Sequence, residues 1–78
     1  MEAVEVTARF DPTGKIFPQR LIWHGRTFDS IDTGRQWVEE DSYHILIMLP
    51  GEQVYELVFV PKELTWYLSR PGLERRRA

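Results

Sequence analysis

Apolar and polar residues alternate over 4–10: Val4, Val6, Ala8 and Phe10 share one face, and Glu5, Thr7 and Arg9 the other. A period of two makes a half-buried β-strand. "DPTG" follows and reads as a type I turn, with Pro12 at its second position and Gly14 in the left-handed position that closes a bulged hairpin. The next two runs, "LIW" and "RTF", meet at His24-Gly25. A two-residue hairpin loop needs positive φ at both positions; Gly adopts it freely and His is among the residues enriched there. Counting outward sets Trp23 opposite Arg26, Ile22 opposite Thr27, Leu21 opposite Phe28 and Arg20 opposite Asp29. Arg26 is thereby expected to cover the Trp23 indole, a cation–π contact of roughly 0.5–1 kcal/mol at an exposed site. The first hairpin conflicts with this register, since it would pair Val6 with Arg20 and Glu5 with Leu21. A bulge or break is therefore expected at Phe17-Pro18, because proline cannot donate to a ladder and is found at bulges and edges.

The third run bends at 32–34 ("DTG") and resumes over 35–40 around Trp37. Runs 43–49 and 54–60 flank "PGE", an odd-length loop that sets Tyr43, Ile45 and Ile47 against the row Tyr55, Leu57 and Phe59. The second faces of these two runs are apolar as well, at Leu46, Met48, Val54, Val58 and Val60. Strands apolar on both faces are central or covered by something further. Leu64, Trp66 and Leu68 alternate, so 64–70 reads as a closing strand, with a short helical turn as the alternative. The pattern predicts one all-β domain over 1–70, a small SH3-like barrel of five to six short antiparallel strands, followed by a flexible basic tail over 71–78. Closure into a barrel removes the exposed edges of an open sheet.

Composition sharpens this picture. A chain of 78 residues makes one domain, and at that size only about 60% of the unfolded chain's surface is buried. Three Trp, three Tyr and four Phe must supply much of the core. Ten basic residues against twelve acidic give a net charge of −2, without the clustered Lys and Arg of a dedicated nucleic-acid binder until "ERRRA" at the C-terminal end. There is no cysteine, which excludes disulfides and thiolate metal sites and fits a reducing cytoplasm, where this reading places the chain. The first ten residues carry acids and no apolar signal core. "ILIMLP" falls far short of the ~20 residues of a membrane span.

The chemistry-bearing residues point away from catalysis. No GxSxG, HExxH or phosphate-cradling glycine loop is present, and Ser30, Ser42 and Ser69 have no evident base. His24 falls in a tight turn and His44 on the second face of its strand; their spacing suits no metal, and "EED" at 39–41 reads as a solvated turn. The expectation is a non-enzyme without cofactor or metal. Trp23, Trp37 and Trp66 read chiefly as core, with Trp37, beside Arg35 and Gln36, the best candidate for a base-stacking platform. Arg20, Arg26 and Arg35, with Arg9 and Lys15, could line a face for phosphate contacts, or could form local ion pairs such as Arg20–Asp29.

"FPQRLIWHGRTFDSI", "RQWVEED", "YHILIMLPGEQVYELVF" and "LTWYL" together resemble a small bacterial all-β domain family of unknown function. Its members combine a Trp-x-Gly-Arg hairpin, a Trp-centred strand, a Tyr-Glu-Leu strand and a closing Trp-x-Leu. They occur alone or resemble C-terminal segments of proteins like the Y-family translesion polymerases. The resemblance covers roughly residues 4–70, implies no catalytic residues, and associates the fold with DNA repair or replication. Two functions follow. One is an accessory module touching nucleic acid through Arg20, Arg26, Arg35 and Trp37. The other is a module for a protein partner or a second copy of itself, docking through Leu46, Met48, Val54, Val58 and Val60.

Overall fold

A computed structural model describes residues 1–70, and the basic tail expected over 71–78 lies outside them. The described chain is all-β: β1 (Glu2–Phe10), β2 (Ile16–Trp23), β3 (Arg26–Phe28), β4 (Asp32–Glu39), β5 (Ser42–Leu49), β6 (Gln53–Val60) and β7 (Thr65–Ser69). They form one antiparallel sheet in the order β3-β2-β1-β7-β6-β5-β4. Its two outermost strands, β3 and β4, are separated in the chain only by residues 29–31. A single run therefore leaves the edge beside β2 and joins the edge beside β5, which obliges the sheet to curl on itself. The strand count is seven rather than five to six because this run pairs in two separate segments. The bend also moves: Asp32 and Thr33 already pair with Met48 and Ile47, and the irregularity in β4 falls between Thr33 and Gln36.

Where β4 swings past β2, a side chain replaces the missing backbone ladder. The Gln36 amide donates to the Ile16 carbonyl at 2.6 Å and accepts from the Ile16 N–H at 3.2 Å. A carboxamide carries the same donor and acceptor as a peptide group, so it can clasp an open strand edge as another strand would.

The turns set the registers. Gly14 takes φ 92° and its N–H donates to the Asp11 carbonyl. The Asp11 carboxylate collects the Thr13 N–H, the Thr13 hydroxyl and the Lys15 N–H, which together hold its pKa below the usual carboxylate value. His24 and Gly25 take φ 52° and 75°, and Trp23↔Arg26, Ile22↔Thr27 and Leu21↔Phe28 pair as the two-residue loop requires. The bulge falls at Gln19, next to Pro18: Ala8 pairs with Pro18 and Thr7 with Arg20. That one extra residue brings Val6 opposite Leu21 and keeps both apolar faces inward. The β5–β6 pairs Tyr43↔Phe59, Ile45↔Leu57 and Ile47↔Tyr55 follow from the loop at 50–52. Residues 65–69 are strand, whereas Leu64, expected in the same alternating row, takes φ 53° in the β6–β7 turn and is exposed.

Inside the curl, Ile16, Leu21, Ile45, Ile47 and Leu57 are almost fully buried, with Phe28, Leu49, Tyr55, Trp66 and Leu68 around them. Burying an aliphatic side chain of this size contributes about 1.5–3 kcal/mol. Val4, Val6, Ala8, Trp23, Ile31 and Phe59 pack against this cluster from its margin.

Candidate functional site

The four residues expected to touch nucleic acid are not brought onto one face. Arg20 is exposed and donates through Nε to Asp29 at 2.8 Å, a pair that raises the Arg20 pKa. Arg26 lies opposite Trp23 in the ladder, but its guanidinium sits over Phe28, 4.9 Å from the ring centre, and not over Trp23. Positions 26 and 28 share a face of the same strand, which puts the Phe28 ring within reach of the long Arg26 side chain. The Trp23 indole packs edge-on to Tyr55 at 5.3 Å and against His24 at 4.9 Å. Arg35 and Trp37 do come together, with the guanidinium 5.0 Å from the indole centre. That indole also carries the His44 ring, nearly parallel at 5.3 Å, and its N–H reaches Glu39. Trp37 is thus an engaged ring rather than a vacant stacking platform.

The clasp nevertheless groups some cations. Gln36 bonds to Ile16, so Arg35 and Trp37 flank one side of the seam and Lys15 and Phe17 the other. Arg9 and Lys15 both lie over the Phe17 ring, at 4.2 and 5.3 Å. Gly14 of the adjoining turn lines the same cleft as Trp37 and His44.

The expected protein-docking residues divide. On the outer face, Val58 is buried and Leu46 and Val60 are half-buried, while only Met48 (38% exposed) and its cross-strand partner Val54 (47%) remain open. They border a shallow hollow with Asp32, Thr33 and Gly34. His44, directly opposite Val58, is turned toward the buried Glu56, its Nδ1 2.6 Å from the carboxylate. A polar group so deeply buried requires a hydrogen-bond partner. Ser42 lies two residues ahead of His44 and lines the same groove as the pair, yet makes no hydrogen bond to it. Among the described residues no cluster of three or more His, Asp or Glu is placed to hold a metal ion, and no helix is long and apolar enough to cross a membrane.

The exposed aromatic side chains among the described residues, Phe10 and Tyr43, stand on faces that strand alternation assigns to the core. Val38, Tyr43, Phe59 and Trp66 form a continuous cross-strand row over β4, β5, β6 and β7. Phe10 joins it from β1, 5.7 Å from Phe59 and 6.5 Å from Trp66. The row faces inward but lies in the last layer, at the mouth of the curled sheet. Along the same face of β5, Ile45 and Ile47 are buried, but Tyr43 is 37% exposed; Phe10 and Val38 reach 53% and 64%. The turns after β1, β4 and β6 all lie at this end. Among the described residues they bring Asp11, Glu39, Glu40, Asp41 and Glu63 around the mouth against Lys15 and Lys62. The signal in the sequence is positional: Phe10 and Val38 each end an inward row immediately before a turn.

Set against known protein families, characterised proteins and solved structures, the chain matches none.

Proposed function

We propose that this chain is a non-catalytic binding module whose working surface is the aromatic mouth and whose partner is another protein. The observation that carries the reading is the row Val38–Tyr43–Phe59–Trp66 with Phe10, in which Phe10, Val38 and Tyr43 stand exposed beside the half-buried Phe59 and the buried Trp66, held by strands rather than by loops. Aromatic residues anchored in a rigid sheet lose little entropy on binding and dominate interface energetics. The acidic turns around the mouth favour a partner whose apolar patch is ringed by Lys or Arg. They disfavour a symmetric pair of copies, which would bring acid against acid. We further infer an SH3-like relation for the curled sheet and a cytoplasmic setting, the latter from the cysteine-free composition. The test is site-specific photocrosslinking from position 43, with position 27 on the outer face as control. A partner captured from 43 and not from 27, then bound at least tenfold more weakly by Phe10→Ser/Tyr43→Ser, supports the reading. Equal capture from both positions, or affinity untouched by the double substitution, overturns it. Sedimentation of the isolated chain tests the homodimer version, which requires a concentration-dependent shift that the same double substitution abolishes.

A second reading rests on the seam, where Arg9, Lys15 and Arg35 sit around Phe17 and Trp37. Cations stacked on rings keep their N–H edges available to phosphate oxygens. The resemblance to domains associated with translesion polymerases adds an accessory role in repair or replication by association alone. Fluorescence anisotropy with single-stranded DNA at low salt decides: salt-sensitive binding at tens of micromolar that Arg9→Ala/Arg35→Ala weakens would support it, and no binding would sink it.

A further inference from the structure

The end of the sheet opposite the mouth holds a separate opening. Glu2 at the start of β1, Trp23 at the end of β2, Tyr55 on β6, and Leu68, Ser69 and Arg70 at the end of β7 line a pocket of about 290 Å³. Two of its walls are aromatic, with Trp23 and Tyr55 edge to face at 5.3 Å. Its rim carries the Glu2 carboxylate, 2.6 Å from His24 Nε2. The hydrogen bond to His24, seconded by the nearby Trp23 indole, lowers the Glu2 pKa, so the carboxylate is anionic at neutral pH. The indole N–H is itself buried and has no hydrogen-bond partner among the described residues.

Aromatic faces and a carboxylate favour the same kind of guest. The rings attract a cation through their quadrupole and the carboxylate attracts it by charge. An anionic ligand would meet Glu2, and a neutral apolar one would have to desolvate it. The chain already supplies a guest of the favoured kind. The Arg70 guanidinium lies over the Tyr55 ring, 5.6 Å from its centre, and among the described residues no carboxylate pairs with it. Guanidinium is planar, weakly hydrated and stacks on rings, whereas an ammonium is compact and strongly hydrated. The pocket volume stands at the low end of the small-molecule range, the scale of one side chain rather than of a large ligand.

We propose that this pocket is a guanidinium site which takes an arginine side chain from outside the chain, with Arg70 as the internal occupant that it displaces. Competition fixes the sign of the test, because removing Arg70 must strengthen binding of the external cation.

The experiment follows the Trp23 indole N–H by ¹H–¹⁵N NMR in the full chain, its signal assigned by its loss in Trp23→Phe. The probe is N-acetyl-arginine amide, with N-acetyl-lysine amide as the competing cation. The expected result is a saturable shift with the arginine probe, at least threefold tighter in Arg70→Ala, at least fivefold weaker in Glu2→Gln, and weaker for lysine. The dispersion of the remaining amide signals verifies that both variants stay folded. A Gly-Gly-Arg-Gly-Gly peptide separates the sources: binding more than tenfold tighter than the amide identifies a segment of a partner protein, and equal binding a free guanidinium compound. The absence of a saturable shift in Arg70→Ala, or a shift that Glu2→Gln leaves unchanged, overturns the proposal.

Discussion

Single side chains decide where this fold is weakest. Gln36 is the only described bridge of its kind between β4 and the edge of β2, and it serves both polar groups of Ile16. Ile16 is almost fully buried, so its N–H and carbonyl have little access to replacement water. Substituting Gln36→Leu keeps the apolar bulk and removes both bonds, and should cost about 1–3 kcal/mol by urea unfolding. Hydrogen exchange should locate the loss, with the Ile16 amide accelerated more than the amides of β6. A uniform acceleration would mean that the clasp has no local role. Arg26 offers a smaller case. Its guanidinium covers Phe28, a buried residue, at the exposed end of the β2–β3 hairpin. Arg26→Ala should lower stability by about 0.5–1 kcal/mol, whereas Trp23→Phe should leave the size of that Arg26 effect unchanged, since the two side chains are not stacked. Neither the clasp nor the choice of Phe28 over Trp23 was legible in the sequence. Register places residues opposite one another, but the reach of a long side chain along its own strand, or across a seam between strands that do not pair, depends on curvature that local pattern does not encode.

The elements were more readable, because turn chemistry counts residues. The His24-Gly25 loop fixes three pairs and, beyond them, the contact of Arg20 with Asp29; the loop at 50–52 fixes seven pairs between β5 and β6. The clash between the first two hairpins foretold a bulge, and Gln19 provides it one residue beyond Phe17-Pro18. Deleting Gln19 should keep this register, because Arg20 then follows Pro18 directly and Val6 still faces Leu21 on the inner side. Leu21, wholly buried, and its partner Phe28 keep their places. What the deletion removes is the local bend and extra twist that a bulge adds. The deletion variant should therefore retain a cooperative thermal transition by circular dichroism. Loss of that transition would show that the curl depends on the bulge itself and not only on which residues it brings into register. The split of the third run into β3 and β4 was less readable: the "DTG" turn signal is real, but pairing with β5 captures Asp32 and Thr33, so the break falls earlier, at 29–31.

Across the whole molecule, alternation identifies which way a side chain faces but not how deep it lies. Tyr43 and Ile47 have the same orientation on β5, yet one opens onto solvent at the mouth and the other is sealed in the core. The mouth was therefore hidden among expected core residues, while of the outer-face row Leu46, Met48, Val54, Val58 and Val60 the structure leaves Met48 and Val54 exposed. The two ends of the sheet are also where β1 is fastened by carboxylates: Glu2 to His24 at one end, and Asp11 to Thr13 and Lys15 at the other. Both carboxyls are held below their ordinary values of 4.5 and 3.8, chiefly by the His24 hydrogen bond and the Thr13 hydroxyl respectively. A carboxyl depressed in the folded state releases its proton more readily there than in the unfolded chain. Its contribution to stability is therefore complete above the unfolded value and is lost as the pH falls through the folded value. Stability should hold with respect to these groups above about pH 5 and decline steadily below pH 4.5, with the two ends of β1 loosening together. Urea midpoints measured from pH 6 to pH 3 should fall less steeply for Glu2→Gln/Asp11→Asn than for the parent, the two curves converging in acid. Parallel curves would show that neither carboxylate anchors the strand, and would leave the curl to be held by its core and by the Gln36 clasp.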